Sequence, residues 1–520
     1  MSSFSTRIAG LSPQQKALLM ERLRTRKEEP AGGAIRPRAG RANVAPLSFA
    51  QERIWFLDRL EPGGLAYNLP FALRLTGPLD VPRLERCVNE IVARHEILRT
   101  TFAEKDERPV QLIAPSLALT VPVTDLRRLG AAEREAEARR LVAAEAWRKF
   151  DLARGPLLSC GVLRLAEQEH VWALTMHHII TDGWSIGVFV RELITLYEAF
   201  GRGEPSPLPP LPIQYADFAE WQHRWLRGQV LEEELSYWKQ QLAGAPHRSS
   251  VPADLPRPPV RSFRGARHSA VLPKARADGL RDLARAEGAT LFMALLAVYE
   301  VLLHHLSKSE DIVIGFLIAN RNRRETEDLI GFFVNQLVLR TRFSGDPSFR
   351  GLLGRLRQVT LDAFDHQELP YQRVVDALRV ERDLSRNPLF QVNFTFQNTP
   401  ITALKMGELT LGGLDTDGDS MALDVDLSLL VSEAPDGLLM VMRYSTDLFT
   451  PPTVKRMLRL LEVIVGHVIA APDTPLSELT AKLSEAERED LGLQLKRRKT
   501  DNAGRLDDIR RRRRGGAAPQ

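Results

Sequence analysis

Met176–Ser185 reads MHHIITDGWS, and the fold turns on what these residues can do. Val171–His178 has the apolar density of a buried strand. From Ser185 the period changes, and Ile186, Phe189, Val190, Leu193, Tyr197 and Phe200 fall on one helical face. The segment is therefore a strand, a short turn and a helix. Alternation along the strand sends His177 and His178 to opposite faces, so that one faces the interior and the other a cavity. Asp182 is close enough in sequence to order the turn. Gly183 supplies a conformation that other residues resist, and Ser185 can cap the helix. Taken alone, the pattern is open between a hydrogen-bonded core turn and a site that uses imidazole chemistry. A metal site fits poorly, because adjacent strand residues point apart and no further His/Glu pair has ligand spacing. A Ser–His–Asp triad lacks the GxSxG elbow that would present a serine.

Working outward, Leu157–Leu165 is a second buried strand, Glu133–Lys149 an Ala- and Glu-rich helix, and Val81–Phe102 has helical spacing. Glu204–Pro212 (EPSPLPPLP) is a Pro-rich crossover of the kind that joins two lobes. Beyond it come a helical stretch at Phe218–Leu242 and a Pro/Arg loop at Pro246–Arg264. Then follow a helix at Thr290–Leu306, a strand at Asp311–Ile318 and a loop at Asn320–Asp328. The remaining elements are helices at Phe349–His366 and Pro451–Ile469, with strands at Gln391–Gln397, Leu427–Ser432 and Leu438–Tyr444. The halves are similar mixtures of strand and helix without a clean repeat. At the start, Ser12-Pro13 opens a helix over Leu11–Lys27, and Glu29–Val44, rich in Gly, Pro, Ala and Arg, reads as a linker.

Further segments stand in a fixed order around the histidines: LSFAQERIWFL (Leu47–Leu57), RHEILRTTF (Arg94–Phe102), YADFAEW (Tyr215–Trp221), IGFFVNQLVLR (Ile330–Arg340), HQELPYQ (His366–Gln372) and RDLSRNPLF (Arg382–Phe390). Together with MHHIITDGWS they resemble the ordered motifs of the condensation domains of nonribosomal peptide synthetases, whose active-site motif is written HHxxxDG. Gln336 departs from the pattern by standing where Thr is usual. The resemblance implies an α/β fold of α+β two-layer sandwiches. Two chloramphenicol acetyltransferase-like lobes would form a V-shaped pseudo-dimer with a tunnel between them. It also implies amide formation between a donor acyl or peptidyl thioester and the amine of an acceptor aminoacyl thioester. Both would ride on phosphopantetheine arms of carrier proteins, one upstream and one downstream, with an adenylation domain as a further candidate partner; the chain itself would bind no cofactor and no metal.

The same resemblance makes His178 the catalytic histidine and leaves His177 structural. Asp182 becomes a structural carboxylate paired to Arg94, and Gly183 leaves room beside the reacting thioester. Asn335, a polar residue in an apolar strand-like run, and Ser185 are candidates for lining the tunnel. SFAQERIWFL and YNLPFALRL look most like the subtype joining an L-donor to an L-acceptor. Two alternatives stand beside this reading: an acyltransferase using a free amine or alcohol, and a catalytically silent module that docks a carrier or enzyme. LGGLD (Leu411–Asp415) looks like a carrier's attachment motif but has Asp415 where the serine belongs, and no adenylation signature occurs. The chain reads as a condensation unit working alone or cut from a larger assembly.

Composition agrees with an ordinary globular chain, at 44% hydrophobic and 26% charged residues over 520. The net charge of +5 misleads. Residues 1–43 carry +6 and residues 491–520 carry +7, so residues 44–490 are net acidic at −8. No folded basic face with interleaved aromatics emerges, which argues against nucleic acid. No apolar run reaches the ~20 residues of a membrane span. Cys87 and Cys160 show no ligand spacing and fit a reducing, cytoplasmic setting. The expected organisation is an N-terminal helix and linker, a candidate docking segment, over 1–43. An N-terminal lobe over 44–212 and a C-terminal lobe over 213–480 follow, with a linker remnant and disordered basic tail over 481–520.

Overall fold

The computed structural model describes residues 33–38, 40, 42–60, 67–246, 251–380, 383–397, 404–413 and 421–488. The expected helix over Leu11–Lys27, Asp415 and the basic tail lie outside these residues. The first half runs β1 (Val44–Pro46), α1 (Phe49–Leu60), β2 (Asn68–Thr76), α2 (Val81–Arg94), β3 (Thr100–Lys105), β4 (Arg108–Ile113), β5 (Val123–Asp125), α3 (Ala131–Ala146), β6 (Leu158–Ala166), β7 (Glu169–His177) and α4 (Gly183–Gly201). Asp80 caps α2 by accepting from Arg83 N, and Leu84, Cys87, Val88, Ile91 and Val92 form its buried stripe. The helix stops at Arg94 instead of Phe102. Glu96–Arg99 forms a 3-10 turn that keeps Ile97 and Leu98 buried, and the β-branched Thr100 and Thr101 then start β3.

The second half begins with α5 (Tyr215–Trp225) and α6 (Gln229–Gln241), which divide the helical stretch at Gly228, a left-handed residue with φ 58°. Next come β8 (Arg264–Pro273), α7 (Lys274–Ala286), α8 (Leu291–Ser307), β9 (Asp311–Ile318), β10 (Asn335–Arg342), α9 (Phe349–Asp365), α10 (Tyr371–Leu378), β11 (Val392–Gln397), β12 (Leu404–Met406), β13 (Leu409–Gly413), β14 (Met421–Ala422), β15 (Leu427–Ala434), β16 (Gly437–Ser445) and α11 (Pro451–Ala470). A seven-stranded sheet has the order β10-β9-β11-β15-β16-β8-β14. One face of it, through Ile314, Phe394, Leu429 and Met442, shares a core with α7, α8, α9 and α11. Helix α8 is buried on nearly every side, which accounts for its almost unbroken apolar run.

Three boundaries differ from the sequence reading. The first six-stranded sheet has the order β12-β13-β2-β7-β6-β5, so residues 404–413 of the second half complete a sheet of the first, with Thr410 opposite Thr76 and Gly413 opposite Leu73. Ile35 lies in the first core and Arg38 is buried between Glu96 and Asp217, so the assigned linker already belongs to the folded unit. Residues 476–488 are helical, and Leu483 reaches the second core, so the linker remnant begins later than residue 481. Composition hid all three, because a few buried side chains suffice to fix an irregular segment. Cys87 and Cys160 are free and buried, and burial pushes each thiol up to about 12. Among the described residues no single helix is long and apolar enough to cross a membrane.

Candidate active site

Strand β7 ends at His177, opposite Asn68 of β2, and its backbone N–H donates to Leu157 O at 2.9 Å. The His177 ring packs near Tyr67 and Phe150, and its Nδ1 accepts from Ile179 N at 3.2 Å. Burial, then the neighbouring His178, lowers its pKa to about 3. His177 is thus a neutral, internally satisfied histidine. His178 does not continue the strand. It starts a 3-10 turn through Ile180, and its ring remains partly exposed.

The His178 Nδ1 lies 3.1 Å from Thr181 O. A carbonyl only accepts, so this contact places the proton of the neutral imidazole on Nδ1 and leaves the Nε2 lone pair available. Nε2 makes no hydrogen bond among the described residues. The Phe332 ring stands edge-on at 5.5 Å. Burial drives the His178 pKa below its ordinary value, against the opposing pull of Thr181 and Asp182. The turn therefore presents a neutral nitrogen base next to an aromatic wall.

Asp182 is fully buried and works as a hub. It caps α4, accepting from Ser185 N at 2.8 Å, and it also accepts from Phe333 N at 3.0 Å. The cap is thus Asp182, while Ser185 sits one turn into the helix. The Ser185 hydroxyl lies 2.7 Å from Asp182 Oδ1 and accepts from Arg321 Nη2 and Gly331 N. With every one of these contacts internal, Ser185 joins the halves of the chain and does not line a channel. Gly183 adopts no left-handed backbone, and a Cβ there would meet nothing within 4 Å.

The expected partner of Asp182 is corrected. Arg94 pairs with Glu192 at 2.9 Å, whereas Asp182 faces Arg321 at 3.2 Å, from the loop after β9. Arg94 closes α2 and lies across from α4, whose Glu192 intercepts it. Arg321 donates further to Thr326 O and Leu329 O, and its guanidinium lies 4.1 Å from the Phe333 ring. Burial lowers its pKa, with Asp182 opposing. Sequence reasoning singled out the loop around Arg321 but not the residue, because ANRNRR holds three arginines and nothing marks which one turns inward.

Asn335 is likewise no channel residue. Its Nδ2 donates to Gln367 O and Leu369 O, both at 2.8 Å, and its Oδ1 accepts from Gln336 N and Tyr371 N. Three of these bonds tie β10 to the approach and first residue of α10, and the fourth stays within β10. Residues that the sequence did not single out complete the frame. Gln51 of α1 donates to Ile179 O at 3.0 Å, Tyr215 bonds Ser48 and Phe332 O, and His95 joins Glu192 to Ile330 N. Their signal was their place in the ordered motifs; their partners are distant in sequence.

With this geometry in place, comparison with known proteins is informative. A family model described as "Condensation domain" matches residues 41–492. A linear gramicidin synthase of Brevibacillus parabrevis is 47% identical over 440 residues, 84% of this chain and 6% of that protein. Phosphinothricin tripeptide synthetase PhsC of Streptomyces viridochromogenes is 42% identical over 479 residues, covering 92% of this chain and 44% of that protein. The chain thus spans less than half the length of either relative. The X-domain from teicoplanin biosynthesis, solved in complex with OxyB, superposes with a TM-score of 0.76 at 28% identity, over 86% of this chain and 97% of that one.

Proposed function

The chain belongs to the condensation-domain family, the amide-forming acyltransferases of nonribosomal peptide synthesis, and on that premise we propose that His178 serves the bond-forming step between two carrier-tethered substrates. The amine of the acceptor attacks the donor thioester carbonyl, a C–N bond forms, the C–S bond breaks, and the donor arm leaves as a thiol. The attacking amine must shed a proton, and the Nε2 lone pair of His178 accepts it. The observation that carries this reading is the Nδ1 contact to Thr181 O, which fixes the tautomer that a base requires. Such acid–base help is worth roughly 10²–10⁴-fold, and tethering both reactants beside it adds to that.

The finer assignments follow. Donor and acceptor arrive on phosphopantetheine arms of separate carrier proteins, with an adenylation domain in the wider assembly, and two buried thiols suit a reducing cytoplasm. The opening motif favours an L-donor and an L-acceptor. Intact-protein mass spectrometry of the full chain with two loaded carriers tests the reading. Dipeptidyl transfer should appear on the acceptor carrier and fall by about 10²-fold or more in a folded His178→Ala variant. Unchanged transfer in that variant removes His178 from the chemistry. A wild-type chain that transfers nothing would favour a docking role like that of the X-domain solved with OxyB.

A further inference from the structure

The seven-stranded sheet turns its second face away from α7, α8, α9 and α11, and two contacts set that face near the reaction centre. Gln51 of α1 touches Ile179, the residue after His178, while Arg53, two residues on, reaches Gln336 on β10 at 3.3 Å. Tyr67 lies with its ring 6.4 Å from that of His177, and Arg53 also reaches Asp424 at 3.9 Å. Asp424 stands just before β15. Ser428, the second residue of β15, occupies this second face.

Ser428 belongs to a row that crosses the sheet in register: Asn393 opposite Ser428, Ser428 opposite Arg443, and Arg443 opposite Arg267. Arg443 has no ion pair among the described residues, and its Nε is buried without a hydrogen bond. Among the described residues, the acids just before β15 are committed elsewhere, Asp426 to Arg257 and Asp424 to Arg53. Burial, then the charge of Arg267, disfavours the protonated guanidinium, yet arginine keeps its proton in proteins. Asn393 Oδ1, in the same row, is buried and also lacks a donor.

We propose that Arg443 seats a carboxylate on the side chain of one of the two tethered substrates. The proposal rests on the condensation reading and adds the substrate class. A forked guanidinium fits a carboxylate by paired hydrogen bonds. Charged hydrogen bonds of this kind are worth about 10- to 100-fold in discrimination. Residues Asn393 and Ser428 extend the row toward the body of the substrate.

Two measurements on the full chain test it. Binding of nonhydrolysable aspartyl- and asparaginyl-pantetheine amides should favour the acidic probe by about tenfold or more, and Arg443→Gln should bring the ratio near one. Arg443→Lys should retain part of the preference, which separates lost charge from lost folding. Transfer assays with Asp or Asn, and Glu or Gln, loaded on the donor carrier in one arm and on the acceptor carrier in the other then identify which substrate meets Arg443. Equal binding of acidic and neutral probes by wild type, or a preference that survives Arg443→Gln, overturns the proposal. Because binding is read without bond formation, failed transfer with an intact acidic preference would count against the condensation reading and leave this one standing.

Discussion

Asp182→Ala tests whether the motif's aspartate holds the fold together or takes part in the chemistry. The substitution removes the acceptor of Ser185 N, Phe333 N and Arg321. Loss of the α4 cap costs about 1 kcal/mol. The larger effect is on Arg321, whose side chain is 1% exposed and would remain as a buried cation without its counter-charge. Breaking a buried pair from one side costs about 3–5 kcal/mol, giving about 4–6 kcal/mol together. A domain is commonly held by about 5–15 kcal/mol, so much of the margin disappears. Arg321→Met should cost less, because Asp182 keeps its contacts with Ser185 and Phe333. The double variant should fall short of the summed losses by about 2 kcal/mol. Urea unfolding followed by tryptophan fluorescence reads all three. The reasoning is refuted if Asp182→Ala keeps the wild-type midpoint while transfer is abolished, for then the carboxylate acts on the reaction and not on the fold.

Other outcomes follow from the same contacts. The wild-type to His178→Ala transfer ratio, in which the acceptor amine's own titration cancels, should be flat above neutrality and decline on an acid limb centred below the ordinary histidine pKa of ~6.5, since burial lowers His178 and the base must be unprotonated; a ratio already falling between pH 8 and 7 would contradict this. Glu300 is buried in α8, bonded to Thr341 at 3.0 Å, and its pKa is raised by burial to about 8. The unfolded chain releases that proton near ~4.3, so stability should decline as pH rises from there to about 8 and level off beyond; Glu300→Gln should flatten the decline in thermal melts. Gly331→Ala should cost about 1–3 kcal/mol and impair transfer, because a Cβ there would come within 2.0 Å of the Tyr215 ring; an unchanged melting temperature would show that the ring yields freely. Deleting residues 1–43 should destabilise the protein by about 3–5 kcal/mol, as Glu96 and Asp217 lose Arg38, while deleting residues 1–32 spares that pair; equal melting temperatures for both truncations would refute the role given to Arg38.

How much of this could be read from the chain depends on the range of each interaction. Strand β7, the turn and helix α4 were legible because period-two and period-3.6 patterns are local, and the expected strand Asp311–Ile318 matches β9 residue for residue. His178 drew attention through its motif, and its role stands as proposed above. The pairing of Asp182 was not legible, since its carboxylate and Arg321 are brought together only when the halves of the chain meet. Asn335 looked functional because a polar residue in an apolar run signals either a ligand or an obligation to the backbone. Here the obligation won, and four bonds to neighbouring chain explain it. Ser185, expected as the helix cap and as a candidate for lining the tunnel, instead lies at the meeting point of Asp182, Arg321 and Gly331.

The pairing of β13 with β2 makes the two halves inseparable in a practical sense. A recombinant chimera cut at the Pro-rich crossover would exchange residues 404–413 along with the second half, and the first sheet would inherit a foreign edge. Leu409 and Leu411 go with it into the core shared with β7, the strand that ends at His177. Parts swapped between relatives should therefore carry that hairpin with the histidine-bearing half, or be chosen so that β2 and β13 come from the same parent.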